Sequence, residues 1–437
     1  MLAGVSWWGR RMDLGANRMS NASGTQKKRG PLSGIRVLDM TRVLAGPFCS
    51  MILGDLGAEI IKVEEIEKGD PARAVAPFAN GVSHYYLAIN RNKKGIAVDA
   101  RTESGRQIIL DLAKHCDVLI ENFRPDVMGR LGLSMEILKQ ANPRLIVCSI
   151  SGFGKGNALS DKPSFDIIAQ AMSGVMSING ESDGGPLKLG VPLGDLGAGL
   201  WGAMGVLAAL QHRNAEHQAV AVDVSMLDSL MAFLSHMASE YFVTGESPPR
   251  TGNNSRSVVP YGRFPVSDGH IVLALHLGSF WRKFCGAVGH PEWIGDNRFR
   301  NAAARRENRQ VLEDVMADVL RTRTAAEWTE IFNREDIPCA AVLDLGEALA
   351  QDVVGERGLV RQCDHPTAGR VGVVGSPLKF SGDFDDSVTM PAPLLGQHTA
   401  EVLTQLLGYA SEKIERLARD NVIRVQDKAA LSPPRSE

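Results

Sequence analysis

The chain has 437 residues, 44% of them hydrophobic and 22% charged, with a net charge of −2. That length exceeds one ordinary core and predicts two domains. The near-neutral charge removes the electrostatic ground for a nucleic-acid or anionic-membrane partner.

Six cysteines (Cys49, Cys116, Cys148, Cys285, Cys339 and Cys363) occur without a CxxC pair, and ten histidines show no ligand spacing. They point to core thiols in a reducing compartment, with neither a disulfide framework nor a metal site expected. Residues 1–30 have charges but no long apolar core behind them, so they read as a disordered leader, or as a start placed too early, and not as a secretory signal. The tail, 426–437, also reads as disordered. No apolar stretch is expected to span a membrane, and the expected location is the cytoplasm.

From residue 35 short apolar runs alternate with helical segments. "IRVLDM", "AEIIKVE", "GIAVD", "DVLIENF" and "RLIVCSISGFG" predict strands, and "FCSMILGDLG", "GRQIILDLAKHC" and "MEILKQ" predict helices. This is the pattern of a mostly parallel sheet wrapped by helices, an α/β fold. Two further helices follow Pro163 and Gly194. The Pro-, Gly-, Ser- and Asn-rich "VTGESPPRTGNNSRSVVPYG" predicts a linker or functional loop. Beyond it, a strand "HIVLALHL" and helices "FWRKFCGAVG", "RRENRQVLEDVMADVLRTR" and "TAAEWTEIFNRE" indicate a second, smaller unit; the last helix opens with a capping box, Thr324 to Glu327. The expected division is a large domain at 31–225, a small α+β domain at 245–350, and a C-terminal return to the large domain at 375–425.

"GAGLWG", Gly197 to Gly202, matches GxGxxG, but it lies within a helix of small residues and follows no strand. Close helix packing is the better reading, and a nicotinamide cofactor is not expected. The ends of the predicted strands carry "TRVLAGP" (41–47), "ENFRPD" (121–126) and "SGFGKG" (151–156). In an open parallel sheet ligands bind beyond these ends, where backbone amides, helix starts and arginines suit phosphates and apolar walls suit a long organic arm.

In "PSFDIIAQAMSG" (163–174), Ser164 reads as an N-cap, Asp166 as a first-turn acid, and Ile168, Met172 and Met176 as one buried face. By itself that makes Asp166 a helix-dipole acid. However, "GIRVLDMTRVLAGPF", "LGDLGAEIIKVE", "NRNKKGIAVD", "CDVLIENFRPDVMGRLGL", "PRLIVCSISGFG" and "FDIIAQAMSGVM" follow one another as in the class III CoA-transferases, the formyl-CoA and carnitine CoA-transferase family. With "LLGQHTAEVL" the resemblance covers about residues 31–425, and "RVLAGPF", "NRNKK", "SVVPY" and "LLGQHT" look most like the succinyl-CoA–dicarboxylate members, the glutarate-type enzyme included.

The resemblance implies a Rossmann-like large domain with a parallel sheet, a smaller α+β domain, and an interlocked homodimer. It implies transfer of CoA from an acyl-CoA to a carboxylic acid, with Asp166 as nucleophile through aspartyl anhydride and aspartyl-CoA thioester intermediates. CoA would be substrate and product, with no permanently bound cofactor. By motif position, CoA contacts fall to Val43, Leu44, Ala45, Arg101, Asn122, Phe123, Arg130, Gly152 and Phe153. Arg42, and Gly252 and Arg256 in the "TGNNSRS" loop, are the candidates for the acid substrate. Formyl-CoA transferases carry a glutamine where Leu44 stands and a run of glycines where this loop has one, which argues against a formyl-CoA and oxalate pair. The alternatives are a 2-methylacyl-CoA racemase, which needs a second acid–base group that "SMEILKQ" supplies only as Glu136, and a non-catalytic CoA-binding protein.

Overall fold

The computed structural model describes residues 30–216, 219–381 and 390–426. The predicted leader and tail lie outside them, apart from Gly30 and Gln426. Six parallel strands form the main sheet: β1 (Arg36–Asp39), β2 (Glu59–Glu64), β3 (Lys93–Val98), β4 (Val118–Glu121), β5 (Ile146–Ser151) and β6 (Ala221–Ser225). The order across the sheet is 3-2-1-4-5-6. A short strand the sequence reading did not anticipate, Ile423–Arg424, pairs antiparallel with the outer edge of β3. The fold is thus mixed α/β with a large, mainly parallel sheet.

Strand period and register explain why both faces are apolar. Val37, Ile60, Val118 and Ile146 are in register and share one core, while Leu38, Ile61, Leu119 and Val147 are in register and share the other. Successive side chains point to opposite faces, so a strand buried on both sides reads as a continuous apolar run. Each such side chain contributes about 1.5–3 kcal/mol when fully buried.

On the Val37 face lie α1 (Ala45–Asp55) and a 24-residue helix labelled α4 below, Leu193–Glu216. This helix has the length and, over one 18-residue window, the apolarity of a membrane span, contrary to the expectation that no segment does. Half of that apolar window is buried against its neighbours, as in a core helix. The "GAGLWG" glycines serve this packing: a Cβ at Gly199 would stand 2.6 Å from the Ala45 carbonyl oxygen, and one at Gly202 3.2 Å from Cys49 Sγ.

Residues 261–341 build a separate core. The antiparallel strands Tyr261–Val266, Gly269–Ala274 and Cys339–Ala341 are covered by helices, with Phe264, Trp281, Phe284, Phe299 and Phe332 inside. The segment read as one helix, "RRENRQVLEDVMADVLRTR", is two, Ala302–Glu307 and Arg309–Leu320, broken at Asn308. The Thr324–Glu327 capping box is formed in both directions. Two strands, Val360–His365 and Gly369–Val374, form a ladder of their own. After Met390 the chain lies against the large sheet: the His398 N–H donates to the Gly95 carbonyl at 2.9 Å, and Val402, Leu403, Ile414 and Leu417 enter the Leu38-side core.

Candidate active site

The chain runs from β1 to β3 on one side and from β4 to β6 on the other, so the sheet reverses direction between β1 and β4. Open α/β sheets bind ligands outside the carboxyl ends of their strands at such a switch point. A crevice of about 530 Å³ lies there.

Its first wall is the loop after β1, where Arg42, Val43, Leu44 and Ala45 line the crevice. Buried charges hold this loop. Asp39 Oδ1 accepts from the Thr41 N–H at 2.9 Å, Lys62 Nζ donates to the Thr41 carbonyl at 2.9 Å, and Lys93 Nζ donates to Asp39 Oδ2 at 3.1 Å. The Asp39, Lys62 and Lys93 side chains are wholly buried. Burial alone would raise the Asp39 pKa, but Lys93, Lys62 and the Ser50 and Thr41 hydroxyls outweigh it and hold the carboxyl below its ordinary value. Val43 has φ of 68°, a left-handed conformation that a β-branched residue rarely adopts. Its N–H is held by Asp70 Oδ1 at 3.0 Å, and Asp70 is in turn 2.9 Å from Lys62 Nζ.

The second wall comes from the loop after β4. Asn122 ties it to the first: its Oδ1 accepts from the Arg42 N–H and its Nδ2 donates to the Arg42 carbonyl, both at 2.8 Å. The Arg42 guanidinium lies 4.6 Å from the centre of the Phe123 ring, a cation–π contact. Gly152 follows β5; a Cβ there would stand 2.2 Å from the Ser164 Cβ, so glycine is what leaves room for the Ser164 side chain at the strand end.

Asp166 begins α3 (Asp166–Met172) beside Ser164 and Phe165 of the crevice wall. Ser164 is not the N-cap; Phe165 holds that position and makes no side-chain cap. The carboxylate is instead fixed by a second helix, α4 (Leu193–Glu216). Oδ1 accepts from the Gly194 N–H at 2.7 Å and from the Asp195 N–H at 3.4 Å. Oδ2 accepts from Gln170 Nε2 at 2.6 Å, and Gln170 Oε1 accepts from the Leu189 N–H at 2.8 Å. Three N–H donors converge on one carboxylate and fix its orientation. Gly194 is required here, because a Cβ would stand 2.9 Å from Asp166 Oδ1. Beside it, Asp195 lines the crevice, its pKa pushed up to about 7 by burial and then by the charge of Asp166. Tyr85, on α2 (His84–Ile89), is pushed up to about 12 by burial and by Asp195, Asp70 and Asp166.

Of the residues predicted from sequence, Arg42, Val43, Leu44, Ala45, Asn122, Phe123 and Gly152 meet around this crevice, with Asp166 at its edge. The others do not line it. Phe153 is buried behind the strand end. Arg101 lies beyond β3 in a separate hollow with Glu67 and Arg424, bonded to Asp99 at 2.8 Å. Arg130 is exposed and paired with Asp126 at 2.8 Å. Gly252, at φ 58°, donates its N–H to the Gly180 carbonyl, and Arg256 is paired with Glu240. Arg124, one of the strand-end arginines, lines the crevice as expected, whereas Lys162, Gln170 and Asp195 belong to the site without having been anticipated. Gln170 alone had a local signal, its i+4 spacing from Asp166. The supposed buried face of α3 is also corrected: Ile168 and Met172 are 43% and 49% exposed, whereas Ala169 and Gln170 are buried. Among the described residues no group of three or more His, Cys, Asp or Glu side chains is placed to hold a metal ion.

The arrangement offers a fixed carboxylate beside a mostly apolar crevice rimmed by Arg42, Arg124 and Lys162, a setting for an acyl group carried on a long, anionic arm. Comparison with known proteins agrees. Residues 32–399 match the model of CoA-transferase family III. The chain is 38% identical to the succinyl-CoA:glutarate CoA-transferase of Mus musculus over 394 residues, 90% of each chain. It is 35% identical to the succinyl-CoA:mesaconate CoA-transferase of Haloarcula hispanica, covering 88% of this chain and 99% of the relative. The crystal structure of a CaiB/BaiF family protein from Brucella suis superposes with a TM-score of 0.80 at 31% identity, over 86% of this chain and 100% of that one. The chain belongs to CoA-transferase family III, and it is a class III CoA-transferase whose substrates are CoA thioesters.

Proposed function

We propose that this enzyme moves CoA from succinyl-CoA to a short dicarboxylate, glutarate or a close relative, with Asp166 as the nucleophile. The observation that carries the reading is the Asp166 carboxylate, fixed by three N–H donors at the edge of the switch-point crevice. Oδ1 is bound by the amides that open α4, which leaves Oδ2, with its single donor, as the attacking atom. Oδ2 bonds to the thioester carbonyl carbon, the C–S bond breaks, and CoA leaves as thiolate from a mixed anhydride. The thiolate then attacks Asp166 Cγ and expels the first acid as its carboxylate. Charge develops on Oδ1 in that step, where the Gly194 and Asp195 N–H groups meet it. The acceptor carboxylate attacks the aspartyl-CoA thioester to form a new anhydride. Thiolate returns to its acyl carbon, releasing the product and the Asp166 carboxylate. No net proton is taken up.

Val43, Leu44, Ala45, Asn122, Phe123 and Gly152 hold the thioester end of CoA. Arg124 and Lys162 line the crevice with Arg42, and Arg130 and Arg101, outside it at the ends of other strands, are left for the nucleotide phosphates. Arg42 takes the second carboxylate of the acid: once water is excluded that charge needs a cationic partner, and Arg42 faces the crevice. The active form is a homodimer. Phe242 and Val243, consecutive on the helix Ser235–Thr244, are 80% and 84% exposed in the single chain, and adjoining apolar side chains left open in this way are what a second copy would cover.

The test pairs acids of equal chain length as acceptors from succinyl-CoA: glutarate against valerate, and succinate against butyrate. Preference for the diacid by 10-fold or more, about 1.4 kcal/mol, is expected from one desolvated charged contact. Equal rates, or a preference for oxalate or carnitine, overturn the substrate assignment. Hydroxylamine added during turnover traps a hydroxamate at Asp166, and Asp166→Ala loses nearly all transfer while still binding CoA. An Asp166→Ala variant that keeps a large part of the rate overturns the covalent route.

A further inference from the structure

Asp195 is the second carboxyl of the crevice, and the reaction as written does not use its side chain. It stands in the first turn of α4, next to the Gly194 that holds Asp166, and its side chain lines the crevice where the acyl group must lie. Its own N–H points at Asp166 Oδ1, so the two acids are neighbours. The Asp166 charge also bears on the Asp195 carboxyl, and two carboxyls that interact do not both ionise freely.

We propose that Asp195 is a further catalytic residue, working as the neutral acid: its O–H donates a hydrogen bond to the acyl carbonyl oxygen while Asp166 attacks. The inference rests on Asp166 as nucleophile. As the Oδ2–carbon bond forms, the carbonyl π pair moves onto oxygen and the Asp195 O–H holds it. When the carbonyl re-forms, the C–S bond breaks, its electron pair leaves on sulfur, and the proton stays on Asp195. An ionised Asp195 would instead set a second negative charge against the acceptor carboxylate and the returning thiolate.

The surroundings favour the neutral form. Burial and the Asp166 charge raise Asp195 to about 7. Tyr85 on α2 is held neutral by burial and the same acids, and none of the cations that line the crevice, Arg42, Arg124 and Lys162, is among the groups that shift Asp195. Cys49 and Asp55 on α1, Asp223 on β6 and Asp228 on the helix Met226–Phe233 belong to elements packed against α4. Among the described residues, however, Asp166 is the one charge that bears on Asp195. The sign follows from the raised value: the acid is protonated below about 7 and active, and it ionises as the pH rises through that point.

The experiment is the pH profile of kcat/KM for wild type, Asp195→Asn and Asp195→Ala, with hydroxylamine trapping in each. Wild type is expected to lose activity on the alkaline side with a midpoint near about 7. Asp195→Asn, which keeps a neutral donor, should lose that limb and stay within about 10-fold of the wild-type plateau; Asp195→Ala should fall about 10²-fold, the cost of one donor to a developing oxyanion. An alkaline limb unchanged in Asp195→Asn, or an Asp195→Ala variant at the wild-type rate, overturns the proposal while hydroxamate still forms at Asp166. Absence of hydroxamate from wild type itself overturns the nucleophile reading instead.

Discussion

Gln170 is the residue whose replacement should damage the chemistry most for the least change in shape. It is fully buried and bridges the site, giving Nε2 to Asp166 Oδ2 at 2.6 Å and taking the Leu189 N–H on Oε1 at 2.8 Å. Gln170→Glu keeps the size and leaves an oxygen for Leu189, but turns the donor facing Asp166 into a second anion. Losing a charge-assisted hydrogen bond costs about 1.5–3 kcal/mol. Two unit charges about 4 Å apart at an effective dielectric near 20 repel by about 4 kcal/mol. The site relieves that repulsion by holding a proton between the two carboxylates, so the pair carries one negative charge in place of two and Asp166 keeps only a share of it. Transfer from succinyl-CoA to glutarate, followed by chromatography of the CoA esters, should therefore fall about 10- to 10²-fold at neutral pH. The ratio of variant to wild-type rate should climb with pH as the shared proton is lost. Gln170→Met is the control: it loses both hydrogen bonds but adds no charge, leaving the Leu189 N–H unpaired at about 1–3 kcal/mol of stability. It should melt lower than wild type, with its rate ratio flat in pH. A Gln170→Glu enzyme within threefold of wild type at neutral pH would show that this contact does not control the nucleophile.

The remaining predictions concern CoA and assembly. Arg124→Ala should weaken CoA binding by about 1.5–3 kcal/mol, one charge-assisted contact, and Arg130→Ala by less, because Arg130 is already paired with Asp126; calorimetry giving unchanged affinity for Arg124→Ala removes that residue from the site. Sedimentation at working concentration should show a dimer, and a stable, active monomer would refute the assignment of the exposed apolar face.

Local pattern in the sequence was enough for the first five strands of the sheet, the helix that "GAGLWG" packs, the Thr324–Glu327 box and the position of Asp166. Each of these depends on neighbours within a few residues, where period, capping and small-residue spacing act directly. The loops at the strand ends were also legible, because a parallel sheet brings its carboxyl ends to one edge whatever joins the strands. The partners of those residues were not. Asp166 meets Gly194 across 28 positions, and Arg42 meets Asn122 across 80, contacts that exist only once the sheet has put separate loops beside one another. The same reason explains the corrections. Arg101 reads like a crevice arginine, yet strand order sets it beyond β3, two strands away from β1. Ile168 and Met172 read as a core face because their spacing is that of a buried stripe. A stripe records only that something apolar must cover it; the tertiary structure decides what does, and within this chain that side of α3 stays open.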